Sequence, residues 1–114
     1  ILKSEVNEVI IPSYEGQMGI LKDHIPLITF LRPGIILVQG KEEKKYYVEE
    51  GTVEFSNNNL LILTSTARDL IELKQSFIKD LLIQAEDKFK ENKSSDKEKY
   101  LLSYKISTLK EISQ

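Results

Sequence analysis

His24 is the only histidine of the chain, and Asp23 stands next to it in a stretch dense with backbone punctuation. As a general base, His24 would need a carboxylate aimed at its ring. As a metal ligand, it would need further donors at set spacings. Neighbours on a chain rarely face each other, so the pair points to a structural or interface role, with the ring hydrogen-bonding loop backbone. The acidic pairs Glu42-Glu43 and Glu49-Glu50 invite paired-carboxylate chemistry. Both fall at the ends of candidate strands, where successive side chains point apart, so they read as solvated surface charge. Gly16-Gln17-Met18-Gly19 allows close backbone approach. A phosphate cradle needs more glycines and a following helix or lysine, and Ile20-Leu21 follows instead. A nucleic-acid GXXG clamp lies between helices, which these glycines do not. With no cysteine in the chain, disulfides, thiolate metal sites and a cysteine nucleophile are excluded. No catalytic residue, metal site or cofactor is expected.

The balance of charge narrows the partners. The net charge is −2, and the only arginines are Arg32 and Arg68, so the basic surplus of a nucleic-acid binder is missing. A hydrophobic content of 40% is enough for a core, and 114 residues suit one domain or one domain with a small appendage. No run approaches the roughly 20 apolar residues of a membrane span. The chain opens on Ile1-Leu2 rather than Met, so a natural start further upstream, with a first strand missing here, is expected.

The elements that must position these residues change character near residue 75. Every proline and glycine lies before residue 52. Residues 5–11 predict a strand ending at Pro12. Short apolar runs follow at 18–21 and 27–32. Residues 35–39 pair naturally with 44–49, and 52–56 with 60–65 across Asn57-Asn58-Asn59, since asparagine tolerates the left-handed region. A last strand is expected over 69–74. Tyr46-Tyr47 places one ring on each face, the outward one covering an edge or an interface. Strands at this spacing predict an antiparallel sandwich. From Ser76, Phe77, Leu81, Ala85 and Phe89 recur every four residues with Ile78 and Leu82 beside them, which predicts an amphipathic helix. Ser95 and Glu98 match a capping box. A second helix to about Ile112 carries Leu102, Ile106 and Leu109. The reading is mainly β with C-terminal α: a β-sandwich over 1–75, then an antiparallel two-helix hairpin over 76–114. Chemistry alone makes this a binding module, and a free-standing sandwich for peptide or carbohydrate, using the outward Tyr, is the rival reading.

The stretch from Val9 to Gly34 holds all three prolines, and it resembles the epsilon subunit of bacterial and chloroplast-type F-type ATP synthases. The matching residues are Glu15, Gly16, Gly19, Ile20, Leu21, His24, Pro26, Leu27, Thr29, Leu31, Pro33 and Gly34. Tyr47 to Phe55, followed by Asn57 to Thr64, matches a second family pattern. The resemblance implies two packed five-stranded sheets followed by two helices, with Ile1 falling after the family's first strand. It implies a non-catalytic rotor subunit that links the gamma subunit to the c-ring and couples proton translocation to ATP synthesis. The site would lie peripherally at the cytoplasmic face of the bacterial inner membrane. Glu15, Gly16, Gln17, Met18 and Gly19 would form the c-ring-facing loop, with Gln17 standing where many relatives carry an acid. His24, Pro26 and Leu27 would belong to the gamma interface. Phe77, Leu81, Phe89, Leu102 and Leu109 would line a regulatory arm that reaches the alpha and beta subunits and inhibits hydrolysis in many bacterial relatives. Some relatives bind ATP where Leu73, Lys74 and Phe77 stand here; the required aspartate and arginine are absent, so no ATP site is expected. The arm has no arginine, so its grip on carboxylates would rest on its eight lysines.

Overall fold

The computed structural model describes residues 6–91 and 95–113. Eight antiparallel strands precede two helices: β1 (Val6–Ser13), β2 (Gly16–Leu21), β3 (Leu27–Leu31), β4 (Gly34–Gly40), β5 (Glu43–Val48), β6 (Gly51–Ser56), β7 (Asn59–Leu63) and β8 (Arg68–Asp69). The helices are α1 (Gln75–Lys90) and α2 (Asp96–Ile112). The chain divides into two compact units, with the break between Leu70 and Ile71.

In the first unit, β2, β1, β4, β5 and β8 form one layer, and β3, β6 and β7 form the other. The layers meet where Ser13 pairs with Leu31. Val9, Ile11, Ile20, Ile36, Val38 and Val48 from the first layer and Leu31, Val53 and Phe55 from the second share one core. The resemblance implies five strands in each sheet; among the described residues the division is five and three.

Two expectations are corrected in this unit. β1 does not stop at Pro12 but runs to Ser13. Proline lacks an N–H, yet its carbonyl still accepts from Arg32 N at 2.9 Å, so the strand continues through it. The strand expected over 69–74 shrinks to Arg68–Asp69 and gives way to a 3₁₀ turn at Leu70–Glu72. Leu70, Ile71 and Leu73 fit a helical spacing as well as an alternating one, and six residues cannot separate the two. The Asn57-Asn58 hairpin forms as a two-residue turn with φ of 51° and 60°, and Asn59 joins β7 opposite Ser56.

Tyr46 packs against the core, while Tyr47 lies on the opposite face of β5 and is only 1% exposed. Its hydroxyl donates to Glu49 Oε2 at 3.1 Å. Burial, then the neighbouring Glu49 charge and this hydrogen bond, push the phenol well above its ordinary value.

In the second unit, Ser95 Oγ accepts from Glu98 N at 3.2 Å, capping α2 as expected. Lys74 precedes α1 without a side-chain cap. Gln75 Nε2 donates to the Ile112 carbonyl at 3.2 Å, tying the start of α1 to the end of α2. The stripe of α1 is corrected: Ile78 and Ala85 are buried, Phe77 and Leu81 are half-buried, and Phe89 is 41% exposed. Steps of four residues advance a helix by about 40° beyond a full turn, so Phe89 lies about 120° around from Phe77. Leu102 and Leu109 are buried on α2.

A methyl group on Gly34 would lie 2.6 Å from Pro12 Cβ. Gly34→Ala should therefore destabilise by about 1–3 kcal/mol, read as a lower urea midpoint. Tyr47 gives a pH prediction. Its phenol stays neutral in the fold above the ordinary value of about 10, where the unfolded chain ionises. Stability should be level below about pH 10 and fall as pH rises beyond it. Tyr47→Phe should flatten that alkaline slope in thermal melts, at a cost of about 1–3 kcal/mol at neutral pH.

Candidate functional site

The residues with chemical potential do not assemble a reactive centre. Asp23 does not serve His24: its Oδ1 accepts from Asn58 Nδ2 at 2.9 Å. The His24 ring meets the Ile25 carbonyl through Nδ1 at 2.6 Å and stands edge-on to Phe55, with centroids 6.0 Å apart. Glu43 lies 3.8 Å from Lys45 on the surface, and Glu49 receives the Tyr47 hydroxyl. No group of three or more potential metal ligands gathers among the described residues. No helix among them is long and apolar enough to cross a membrane. Tyr46 and Tyr47 are both covered, so neither offers the exposed ring a sugar would stack on.

What the fold builds instead is a contact surface. Leu27 and Leu31 of β3 point inward, Leu27 packing on the core and Leu31 1% exposed. By the two-residue period of a strand, Ile28 and Phe30 point outward, and they are 74% and 59% exposed. Register extends this face across the layer. Ile28 lies beside Glu54 and then Leu61; Phe30 lies beside Thr52 and then Leu63. Leu61 and Leu63 are exposed, and Tyr14 tilts against Phe30 with ring centroids 6.4 Å apart. Ile25, at 74% exposure, crowns the loop leading into β3. A face this rich in exposed apolar side chains, with Glu54 and Thr52 set among them, marks an interaction site.

This face was missed in the residue pattern, although its signal was there. Leu27-Ile28-Thr29-Phe30-Leu31 is apolar on both sides of the strand, which in a sheet means cover on both faces. Among the residues proposed for the gamma interface, His24 is half-buried, Pro26 is exposed and Leu27 faces the core.

The loop from Glu15 to Gly19 forms the tip and first rungs of the β1–β2 hairpin. Ser13 Oγ donates to the Gly16 carbonyl at 2.7 Å and accepts from Glu15 N at 3.2 Å, fixing the turn. Gly16 takes a φ of 119°, open to glycine alone. Glu15, Gln17 and Gly19 are exposed, while Met18 packs inward on the core. The tip is thus polar, with Glu15 at its turn and the Glu8 carboxylate lying against Gly19. Phe77, Leu81, Phe89, Leu102 and Leu109 all lie on the helical hairpin, where Phe89 alone of the five is exposed.

The chain is similar to known proteins in sequence and in fold. The model of the beta-sandwich domain of the ATP synthase Delta/Epsilon chain matches residues 1–69. The ATP synthase epsilon chain of Pelagibacter ubique is 50% identical over 109 residues, covering 95% of this chain and 84% of its own. That of a Jannaschia species is 36% identical over 84 residues, covering 73% of this chain and 64% of its own. The mitochondrial ATP synthase subunit delta of Schizosaccharomyces pombe is 39% identical over 83 residues, covering 70% of this chain and 50% of its own. In fold, the chain is similar to one in the mitochondrial ATP synthase of Euglena gracilis, with a TM-score of 0.71 at 24% identity, over 96% of this chain and 70% of that one. A chain of the central stalk and c-ring structure from Tetrahymena thermophila gives a TM-score of 0.63 at 13% identity, over 96% and 83%.

Proposed function

The chain belongs to the ATP synthase delta/epsilon chain family, and from that membership we propose that it is the rotor link between the gamma subunit and the c-ring. It performs no chemistry of its own. Proton flow turns the ring, and the sandwich holds gamma to it, so that transport drives ATP synthesis. The observation that carries this reading is the outer face of β3, β6 and β7, where Ile28 and Phe30 of β3 and Leu61 and Leu63 of β7 flank Thr52 and Glu54 of β6. A coupling element must grip one partner through many turns. Burying apolar surface supplies that adhesion without dependence on salt.

Gamma takes this apolar face together with the His24–Pro26 loop. The polar tip at Glu15–Gly19 faces the loops of the c-ring. There Gln17 adds no charge to those of Glu15 and of Glu8 beside Gly19, which makes this contact the weaker of the two. The complex holds the chain peripherally at the cytoplasmic face of the bacterial membrane. The helical hairpin acts on the alpha and beta subunits as a regulatory arm. Lysine rather than arginine carries its charge, so its hold on carboxylates is by point charge and not by a bidentate fork.

Ile28→Ser with Phe30→Ser removes the centre of the apolar face while leaving the core intact. The double variant should melt within a few degrees of the parent, because both side chains are already in water. It should bind gamma at least about a hundredfold more weakly, as loss of two buried anchors of about 1.5–3 kcal/mol each requires. Titration against immobilised gamma measures this, and unaltered affinity would refute the assignment of the face. For the arm, ATP hydrolysis of the reconstituted complex should rise, by less than about tenfold, when residues 76–114 are removed, since exposed lysine pairs are each worth about 0–1 kcal/mol. An unchanged rate would show that the arm does not restrain hydrolysis.

A further inference from the structure

The β2–β3 loop and the β6–β7 turn are 35 residues apart in sequence, and a reciprocal pair of side-chain bonds joins them. Asp23 N donates to Asn58 Oδ1 at 2.6 Å, and Asn58 Nδ2 donates back to Asp23 Oδ1 at 2.9 Å. Both residues lie in the left-handed region, with φ of 66° at Asp23 and 60° at Asn58. Glycine occupies that region without cost, whereas a residue with a side chain does so at some expense. Here the side chains that cause the expense are the ones that bond.

The pair sits at a particular point of the sheet. The ladder between β3 and β6 ends at Leu27 opposite Phe55. Beyond it, β6 runs into the Asn57-Asn58 turn, and β3 is preceded by the arch His24-Ile25-Pro26. Asp23 is the far foot of that arch, and Leu27 is the near foot. The ladder pins the near foot and Asn58 pins the far one. Inside the arch, His24 N donates to the Leu21 carbonyl at 3.1 Å, and the His24 ring packs edge-on to Phe55. The result is that Ile25 is held out at 74% exposure, beside the outward face that begins with Ile28. An apolar side chain fixed in water on an arch pinned at both ends is a preorganised contact.

We propose that Asp23 and Asn58 are positioning residues for partner docking: they clamp the His24–Pro26 arch so that Ile25 meets gamma without ordering the loop at the moment of binding. The inference rests on the reading that gamma takes the outer face of β3. Neither residue needs to touch the partner. Their contribution is the entropy that the free protein has already given up.

Asp23→Gly and Asn58→Gly each keep the left-handed backbone; Asn58→Gly removes both bonds of the clamp, and Asp23→Gly removes the one its carboxylate accepts. In the full-length chain, each should weaken gamma binding by about two- to tenfold, chiefly through slower association. Amide exchange at His24, whose N–H donates to the Leu21 carbonyl inside the arch, should quicken in both, while the melting temperature stays near that of the parent. Adding Asp23→Gly to Asn58→Gly should change nothing further, because Asn58→Gly has already removed both bonds. Asp23→Asn keeps an acceptor for Asn58 and should retain the parent's affinity. Parental affinity or unchanged His24 exchange in Asn58→Gly would overturn the clamp alone, as would a double variant that binds more weakly than Asn58→Gly. Failure of the parent itself to bind gamma would overturn the docking reading, and the clamp with it.

Discussion

The seam between the two layers of the sandwich is the constraint on which the rest depends. It is short. Ser13 pairs with Leu31, Arg32 N donates to the Pro12 carbonyl at 2.9 Å, and Tyr14 N donates to the Phe30 carbonyl at 3.1 Å. Proline suits this place because its nitrogen has no hydrogen to leave unpaired, and its ring seats against Gly34, where a side chain would collide. The seam sets which way every residue of β3 points. With Leu31 drawn into the core, the two-residue period sends Phe30 and Ile28 outward. Slipping the register by one residue would bury Phe30, expose Leu31 and erase the contact face.

The two ends of the proposed rotor link follow different physics for this reason. The outer face of β3, β6 and β7 is mostly apolar, with Glu54 as its charge on β6, and no residue from Ser56 to Ala67 is ionisable. Adhesion there scales with area removed from water and is non-directional. The hairpin tip is the reverse: exposed backbone shaped by Ser13 and Gly16, bearing Glu15 and Gln17. Such a tip can fit a partner's loops through hydrogen bonds but contributes little area. In the proposed rotor link, this division would give a strong grip on gamma and a lighter one on the ring.

Local chemistry made much of this readable in the residues. Asn57-Asn58 fixed a hairpin register because few side chains accept two successive left-handed positions, and Ser95 with Glu98 marked the start of α2. The misreadings have local causes as well. The run from Asp69 to Lys74 satisfies two periods at once, so a 3₁₀ turn passed for a strand. Counting by fours placed Phe89 on a stripe from which the helix had already rotated it. Leu27, expected at the gamma interface, packs on the core, because the strand sends alternate residues to opposite sides and the exposed ones are Ile28 and Phe30. The tie between Asp23 and Asn58 had no local signal at all, since each alone reads as an ordinary turn residue.

The helical hairpin, taken by itself, is lightly built, and this bears on how it can act as an arm. Its fully buried apolar side chains are Ile78, Ala85, Leu102 and Leu109. α1 begins without a side-chain cap, and the Lys110–Glu86 pair at 3.9 Å is exposed. Surface pairs of this kind contribute little. Helices of 16 and 17 residues are marginal alone in water, so the pair depends on a thin shared core. Ile83 and Phe89 remain in solvent, at 57% and 41% exposure, with their apolar surface uncommitted. A segment with few internal contacts and spare apolar surface loses little when it opens and gains where a partner covers it. If the hairpin acts as the proposed arm, its movement would be governed less by bonds broken within it than by what a partner offers to Ile83, Phe89 and the lysines around them.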